Sequence, residues 1–226
     1  MARAPVAHIA ITTRNRPNTL RRLVDQIKAE ANGAATARVH VYDDSSYVRH
    51  RVDEVVYDCW YTNFEENHGR DNYWRLVDYV FKDASKYRWD CFFMLPDDVT
   101  IEKGFFRSAL RLWDLCGKAC LSFNTDDRAW SKQWTGFTPE RQGELIHTEW
   151  MDLCFMAPRT LLENLDWCVK PITKRSGEGS GVGSQLSRRI FQTQVGMYHT
   201  AEPLVHHGAH HSQMHPEHRK HNPIIH

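Results

Sequence analysis

Two adjacent carboxylates, Asp97 and Asp98, follow an apolar run and a proline in the stretch FFMLPDDVT. An apolar run of this length is typical of a strand that is buried on both faces. Neighbouring carboxylates repel each other unless a cation lies between or beside them, and their oxygens are ligands that hard divalent cations prefer. The pair therefore indicates either a solvated turn or a divalent-cation site whose remaining positions are filled by phosphates.

Two further polar groups follow β-rich runs in the same way. Thr12, Thr13 and Arg14 follow the first run, and Asp43 and Asp44 follow the second. In a parallel sheet the carboxyl ends of the strands meet at one edge, and ligands bind beyond that edge. We therefore expect these two groups to lie beside Asp97 and Asp98. For Asp43 and Asp44 a plain turn is the alternative.

The elements that must position these groups alternate along the first half of the chain. Strands are predicted at residues 6–12, 37–42, 55–57, 91–95 and 119–123. Between them, apolar residues recur at i, i+3, i+4 and i+7, which predicts amphipathic helices after Pro17, across residues 73–80 and across residues 106–113. This alternation predicts an α/β fold with a mainly parallel sheet flanked by helices.

The pattern changes after residue 124. A strand is predicted at residues 149–157, a short helix at 158–165, a loop rich in Lys, Gly and Ser at 170–183, a helix at 184–191 and a last strand at 195–200. The tail that follows holds eight of the fourteen histidines. We expect one compact domain with a nucleotide-binding half, residues 1–123, and a smaller C-terminal acceptor-side half, residues 124–226.

Composition limits the classes of function. A chain of 226 residues with 41% hydrophobic content is large enough to bury a core, and its net charge of +1 excludes a general polyanion binder but not a local basic groove. Six cysteines without a CxxC pair indicate reduced thiols. No segment reaches the roughly 18 apolar residues that a membrane span needs. We expect a soluble cytoplasmic protein without a membrane partner, located in the host cytoplasm if a phage encodes it.

Four segments resemble, in this order, the nucleotide-sugar glycosyltransferases of the GT-A fold, and most of all the family 2 type. They are HIAITTRNRPNTLRRLVDQI, VHVYDDSS, ENHGRDNYWRLVDYVF and FFMLPDDVTIEKGFF. The resemblance covers residues 6–123 and extends more loosely through residues 150–159. It implies a GT-A (Rossmann-like) sheet, a nucleotide-sugar donor and a bound Mn²⁺ or Mg²⁺.

The resemblance also implies roles for individual residues. The donor-binding neighbourhood of the family matches Thr13, Arg14, Asp43, Asp44, Arg70 and Asp97. Asp98 matches the metal-binding last residue of the family's Asp-x-Asp motif, whereas Pro96 stands where the first acid normally is. One carboxylate is therefore missing. Because many GT-A enzymes add a C-terminal histidine to the metal, the resemblance assigns that role to His207 in the stretch VHHG.

The catalytic base is the least determined part of the site. An inverting transfer needs a carboxylate that takes the proton of the acceptor hydroxyl. The family usually places it at the head of a late helix, where this chain reads GVGSQL and has no acid. Asp152 and Glu178 are the candidates, and Asp152 is preferred because a strand end holds it more rigidly. A structural role for Asp152 at a turn and a retaining mechanism without a conventional base both stay open.

These observations predict a metal-dependent hexosyl- or pentosyltransferase that uses a nucleotide-diphosphate sugar, with uridine diphosphate as the preferred nucleotide. One acceptor that fits is a hydroxymethylated base in DNA, as in phage DNA modification. Basic side chains would contact phosphates and a tryptophan would stack on the flipped base. The residues in question are Arg14, Arg16, Arg21, Arg22, Arg219, Lys220, Trp130, Trp134 and Trp150. The alternatives are a nucleotidyltransferase and a non-catalytic metal- or nucleic-acid-binding module on a degenerate GT-A scaffold.

Overall fold

A mixed sheet of nine strands lies at the centre of the described part of the chain, which comprises residues 3–47, 59–124, 138–169 and 181–208 of a computed structural model. The strands of the described residues are β1 (Val6–Thr13), β2 (Thr36–Asp43), β3 (Trp60–Asn63), β4 (Cys91–Pro96), β5 (Val99–Ile101), β6 (Cys120–Ser122), β7 (Glu140–Gln142), β8 (Leu145–Thr148), β9 (Phe155–Ala157), β10 (Met197–Thr200) and β11 (Val205–His207). The helices of the same ranges are α1 (Pro17–Ala31), α2 (Gly69–Ala84), α3 (Phe105–Leu115), α4 (Arg159–Asn164) and α5 (Val182–Gln192).

The strand order in the sheet is β3-β2-β1-β4-β9-β6-β10-β8-β7. Strand β1 runs parallel to β2 and β4, β2 runs parallel to β3, and β6 runs parallel to β10. Strand β9 is antiparallel to both of its neighbours, β4 and β6. The predicted α/β class with a mainly parallel sheet is therefore confirmed, and both halves of the chain contribute strands to the sheet.

Helices cover both faces of the sheet. Ile9 and Ile11 of β1 pack into one core cluster with Leu20 and Leu23 of α1, whereas Ala10 belongs to a second cluster with Leu76 of α2. This alternation follows from the period of two in a strand, since successive side chains point to opposite faces. Strand β1 is central and covered on both faces, which explains its unbroken buried run from Ala7 to Thr13.

One difference from the prediction lies between residues 145 and 157. Residues 149–157 were expected to form a strand, but only Phe155–Ala157 does so, and Leu145–Thr148 forms an additional strand, β8, against β10. In the segment between β8 and β9, backbone amides bond to side chains instead of to the backbone of a neighbouring strand. The amide of Trp150 donates to Oγ1 of Thr148 over 3.2 Å, and the amide of Met151 donates to Oγ of Ser187 over 3.0 Å.

Two other predictions depend on residues that are only partly described. The strand expected at residues 55–57 lies outside the described residues, and β3 pairs with β2 at Trp60–Asn63. Residues 170–180 of the expected loop also lie outside them, and the last residues of that loop, Val182 and Gly183, begin α5. All six cysteines are free thiols, as expected. In the described ranges, no helix is both long and apolar enough for a membrane span.

A small second sheet joins two distant parts of the chain. Strand β11 pairs antiparallel with β5, and the register places Val205 opposite Ile101 and His207 opposite Val99. The amide of Gly208 donates to the carbonyl oxygen of Asp98 over 2.7 Å. The sequence analysis predicted no strand at residues 205–207. This pairing brings His207 to the acidic pair that follows β4.

Candidate functional site

The polar ends of three strands meet at the carboxyl edge of the sheet. The register of the parallel ladders sets Thr13 of β1 opposite Asp43 of β2, and Thr12 opposite Pro96 of β4. The amide of Asp97 donates to the carbonyl oxygen of Thr12 over 3.1 Å. The expectation that these groups share one edge is thus confirmed.

Asp97 and Asp98 are buried around one guanidinium group, that of Arg16. Atom Nη1 of Arg16 lies 3.0 Å from Oδ1 of Asp97 and 3.0 Å from Oδ2 of Asp98. The Thr13 hydroxyl donates to the other carboxylate oxygen of Asp97, Oδ2, over 2.6 Å. Only 13% of the Arg16 side chain and 5% of each carboxylate side chain are exposed, so this is a buried ionic cluster and not a solvated turn.

The pKa values in the cluster follow from burial and charge. Burial raises the pKa of Asp97 to about 6, although Arg16 and the Thr13 hydroxyl act in the opposite direction. Burial also disfavours the charged form of Arg16, but Asp97 and Asp98 outweigh it and raise the pKa of the guanidinium above its usual value. Arg16 is therefore the permanent cation of the cluster.

Asp98 and His207 form a pair of potential metal ligands. Oδ1 of Asp98 lies 3.4 Å from Nδ1 of His207, so that the two donor atoms are close enough to bind one ion. Oxygen and nitrogen ligands suit Mn²⁺, and carboxylate oxygen suits Mg²⁺. No group of three or more His, Cys, Asp or Glu side chains arranged for a metal occurs in the described ranges. The described chain thus fits a cation held by two side chains, with its other positions open to phosphate oxygens and water.

Asp43 and Asp44 have partners within the protein. Oδ1 of Asp43 accepts hydrogen bonds from the amide of Ser46 over 3.0 Å and from its hydroxyl over 2.6 Å, and Oδ2 accepts one from the Tyr61 hydroxyl. Oδ1 of Asp44 accepts one from the amide of His68 over 3.0 Å and lies 2.6 Å from Nδ1 of that ring. Asp43 and Asp44 therefore connect the turn after β2 to β3 and to the start of α2.

Two arginines were expected on the donor side. Nη2 of Arg14 donates to the hydroxyl of Tyr47 over 3.3 Å, and its guanidinium lies 5.4 Å from the centre of that ring. Nε of Arg14 is buried without a hydrogen-bond partner, and the Tyr47 ring is 85% exposed. Arg14 and Tyr47 thus offer a cation and an aromatic face at the sheet edge. Arg70 belongs to the first turn of α2, next to His68, and its side chain is outside what the structure describes.

Asp152 lies in the segment between β8 and β9, against the start of α5. Its Oδ1 accepts a hydrogen bond from the amide of Leu153 over 2.8 Å. A Cβ atom at Gly183 would lie 3.2 Å from the carbonyl oxygen of Met151 and 3.5 Å from Oδ1 of Asp152, so glycine allows the helix start to approach this segment closely. The other candidate base, Glu178, lies outside the described residues.

Cys154 is a buried thiol that both Asp152 and Asp98 influence. Burial raises the pKa of the Cys154 thiol well above its usual value, and the negative charges of Asp152 and Asp98 raise it further.

His199 of β10 is fully buried and holds two segments together at this end of the sheet. Its Nδ1 lies 2.6 Å from the carbonyl oxygen of Asn124, and its Nε2 lies 2.7 Å from the carbonyl oxygen of Trp150. Because carbonyl oxygens only accept, the tautomer of the ring decides to which of these two oxygens it donates. The Trp150 ring stacks on it and is only 2% exposed. Trp150 therefore has the core-packing role and not the acceptor-stacking one, whereas Trp130 and Trp134 lie outside the described residues.

Sequence reasoning missed the contacts that order this site. Arg16 was considered only as a possible phosphate contact, and Tyr61, His68 and His199 were not singled out. The position of Arg16 carried a signal, since it directly precedes Pro17, the first residue of α1, at the end of a strand. The partners of Tyr61, His68 and His199 depend on strand register and loop path, which no local pattern encodes.

Comparison with known proteins supports the fold independently. No protein-family model and no curated protein matches the sequence. Two crystal structures of S. aureus TarS have a similar fold. The structure of TarS residues 1–349 is 11% identical in sequence and has a TM-score of 0.58. The alignment covers 90% of this chain and 60% of the TarS chain. The second TarS structure is 11% identical with a TM-score of 0.61, and covers 90% of this chain and 36% of that one.

These similarities define the class of fold. The large, mostly parallel sheet with its flanking helices is the GT-A glycosyltransferase fold of these neighbours. The chain spans 60% of the length of one TarS structure and 36% of the other. An identity of 11% establishes the fold alone, so the activity has to be argued from the site.

Proposed function

We propose that this protein is a metal-dependent glycosyltransferase that moves a hexosyl or pentosyl group from a nucleoside-diphosphate sugar to a hydroxyl acceptor. The observation that carries this proposal is the approach of Asp98 and His207 at the carboxyl edge of a GT-A sheet, within 3.4 Å of each other. Asp98 remains the central ligand although Pro96 replaces the first acid of the motif. His207 supplies the ligand that this replacement removes.

Mn²⁺ or Mg²⁺ held by Asp98 and His207 would offset the negative charge that develops on the departing diphosphate. The chain's own residues supply the rest of the donor site. Thr13 and Arg16 fix Asp97 through hydrogen bonds of 2.6 and 3.0 Å. The Asp43–Ser46 turn positions the end of β2, where the nucleoside is expected, and Arg14 adds a positive charge beside the exposed Tyr47 ring. Uridine is the nucleoside we favour.

Asp152 is the group that we propose as the base for the acceptor hydroxyl. It lies between β8 and β9, where its Oδ1 would be 3.5 Å from a Cβ atom at Gly183 in the first turn of α5. A carboxylate in this place can take the acceptor proton as the oxygen attacks the anomeric carbon of the sugar. The stereochemistry of the product reports directly on this assignment, since single displacement inverts the anomeric centre.

A hydroxymethylated base in DNA is the acceptor that we propose to test first. Arg21 and Arg22 are exposed on the first turns of α1, directly after the loop that carries Arg14 and Arg16. Exposed arginines near a sheet edge suit contacts with phosphate groups. Trp150 is buried, so stacking on an extruded base would fall to Trp130 or Trp134.

The deciding experiment is donor hydrolysis. The full chain is incubated with uridine, guanosine and cytidine diphosphate sugars, with Mn²⁺ or with a chelator, and the released nucleotide is measured. We expect metal-dependent release from one class of donor and its loss in Asp98→Asn. Asp114→Asn removes an exposed carboxylate from α3 and is the matched control, which should retain the activity. Release that survives chelation or Asp98→Asn would contradict the proposed metal role.

One observation favours a second candidate, a non-catalytic binding module on the same scaffold. The first turn of α5, where the family usually places the base, contains no acidic residue. A binding module would bind nucleotide without releasing it from the sugar. Nucleotide binding by thermal shift, together with no hydrolysis or transfer to hydroxymethylated DNA for any donor, would favour that candidate.

A further inference from the structure

The Arg16 guanidinium contacts a carboxylate that the proposed cation would also need. One nitrogen, Nη1, lies 3.0 Å from both Oδ1 of Asp97 and Oδ2 of Asp98. Oδ1 of Asp98 faces His207 instead. The Arg16 guanidinium and the divalent cation would thus bind different oxygens of the same Asp98 carboxylate. Their positive charges repel each other at this distance.

We propose that Arg16 and the divalent cation compete for Asp98, and that the cation releases the Arg16 guanidinium to bind the diphosphate of the donor. This inference rests on the proposed function, because it assumes a diphosphate donor. It makes Arg16 a residue with two alternative partners, the acidic pair in the empty protein and the phosphates in the loaded one.

The local structure allows the side chain of Arg16 to move while its backbone stays fixed. The carbonyl oxygen of Arg16 accepts hydrogen bonds from the amide of Leu20 over 3.0 Å and from the hydroxyl of Thr19 over 3.1 Å, which ties it to the first turn of α1. Asp97 would keep its hydrogen bond from Thr13, 2.6 Å long, after the guanidinium leaves. Only rotation about the side-chain bonds of Arg16 is needed for the exchange.

Charge balance gives the exchange a direction. Without a divalent cation, two carboxylates and one guanidinium leave the cluster with a formal charge of −1, which repels a diphosphate. With the cation bound, the same groups carry +1 and attract it. The planar guanidinium matches two phosphate oxygens at once, a geometry that a spherical ion does not offer. We therefore expect the cation to bind before the nucleotide or together with it.

The test measures Mn²⁺ binding to the full chain by calorimetry, without nucleotide. Because the histidine-rich tail adds background sites, each protein is compared with its own Asp98→Asn counterpart. We expect Arg16→Gln to bind Mn²⁺ about tenfold more tightly at the Asp98-dependent site, since the competing cation is gone. Arg107→Gln removes the same charge from an exposed position of α3 and should leave the Mn²⁺ affinity unchanged.

The second readout is uridine diphosphate binding in saturating Mn²⁺. Here Arg16→Gln should weaken binding by about tenfold or more, the loss expected for charge-assisted hydrogen bonds, so that the two affinities move in opposite directions. A purely structural Arg16 would instead lower both affinities, because the carboxylates would lose their support. Mn²⁺ binding by Arg16→Gln that is unchanged or weaker than wild type overturns the inference.

Two arms keep this test separate from the proposed function. Arg16→Lys retains the positive charge, so it should bind Mn²⁺ more weakly than Arg16→Gln. Equal affinities of these two variants, with the same unfolding free energy as the wild type, would overturn the competition. If the wild-type protein does not bind uridine, guanosine or cytidine diphosphate, the proposed donor class is wrong. Tighter Mn²⁺ binding by Arg16→Gln would in that case still support the competition for Asp98.

Discussion

Nδ1 of His207 lies 3.4 Å from Oδ1 of Asp98 because β11 pairs with β5 directly after the acidic pair. The neighbouring histidine in β11, His206, is directed elsewhere, and its Nε2 lies 2.5 Å from a carboxylate oxygen of Glu102. Successive side chains of a strand point to opposite sides, so only one of the two histidines can reach Asp98.

Exchange of His207 for alanine should weaken Mn²⁺ binding at the Asp98-dependent site by about tenfold to a hundredfold, the range typical for groups that support a bound metal. Donor hydrolysis at limiting Mn²⁺ should fall accordingly and recover at high Mn²⁺. The matched control is His206→Ala, which should leave the Mn²⁺ affinity unchanged. Equal losses in the two variants would show that the register of β11, and not the His207 ring, sets the affinity.

The assignment of the base predicts a separation of kcat from nucleotide affinity. Asp152→Asn should lower kcat for donor hydrolysis, with water in place of the acceptor, by about a hundredfold to ten-thousandfold. The affinity for uridine diphosphate should remain unchanged, because the role that we propose for Asp152 involves the acceptor and not the nucleotide. Glu178→Gln is the parallel variant and should retain kcat. The reverse pattern in the two variants would transfer the role of base to Glu178.

His8 gives a prediction about stability and pH. It is fully buried in β1, stacked between Tyr87 and Phe92 with ring centres 5.6 and 5.8 Å away, and neither ring nitrogen has a hydrogen-bond partner. Burial, assisted by the nearby His40, lowers the pKa of His8 to about 4. In the unfolded chain the pKa is about 6.5. Between these values the unfolded state binds more protons, so stability is lost as the pH falls from 6.5 towards 4.

Exchange of His8 for phenylalanine should therefore flatten the pH dependence. On the order of 3 kcal/mol of unfolding free energy depends on this one histidine across the full window. At pH 7.5 the variant should be as stable as the wild type or slightly more so, because two buried nitrogens without partners are removed. Urea unfolding of both proteins at pH 5 and pH 7.5 measures the difference, and parallel pH profiles would contradict the assignment.

The fully buried ring of His199 predicts a loss of stability on substitution. His199→Phe would remove the hydrogen bond that the ring donates to a buried carbonyl oxygen, that of Asn124 or that of Trp150. An unsatisfied buried group costs about 1–3 kcal/mol, so the unfolding free energy should fall by about 1–3 kcal/mol. Tyr198→Phe, on the adjacent half-buried position of β10, should change it by less than about 0.5 kcal/mol. Chemical denaturation of the two variants checks both values.

The sequence predicted the sheet edge well because its signals are local. Apolar runs that end in Thr13, Asp43 and Asp97 identify both the strands and their polar termini, and parallel pairing then brings these termini together. The resemblance to the GT-A family also paired Asp98 with His207, which now lie 3.4 Å apart, although their role in binding a metal stays a prediction.

Other features could not be predicted because their causes are not local. The segment 149–154 has the composition of a strand, but its amides bond to the side chains of Thr148 and Ser187, and the strand forms earlier, at Leu145–Thr148. The bridging of both carboxylates by Arg16 depends on the exact path of the turn between β1 and α1. Many arginines follow a strand, and only the fold shows which of them is buried.

The antiparallel pair of β5 and β11 has a consequence for protein synthesis. Asp97, Asp98 and Arg16 emerge from the ribosome long before Val205–His207, which pair with Val99–Ile101 and bring His207 to Asp98. A partly synthesised chain therefore has the carboxylates without the histidine. If Asp98 and His207 hold a cation as proposed, its full affinity would require that this late segment has left the ribosome and paired with β5.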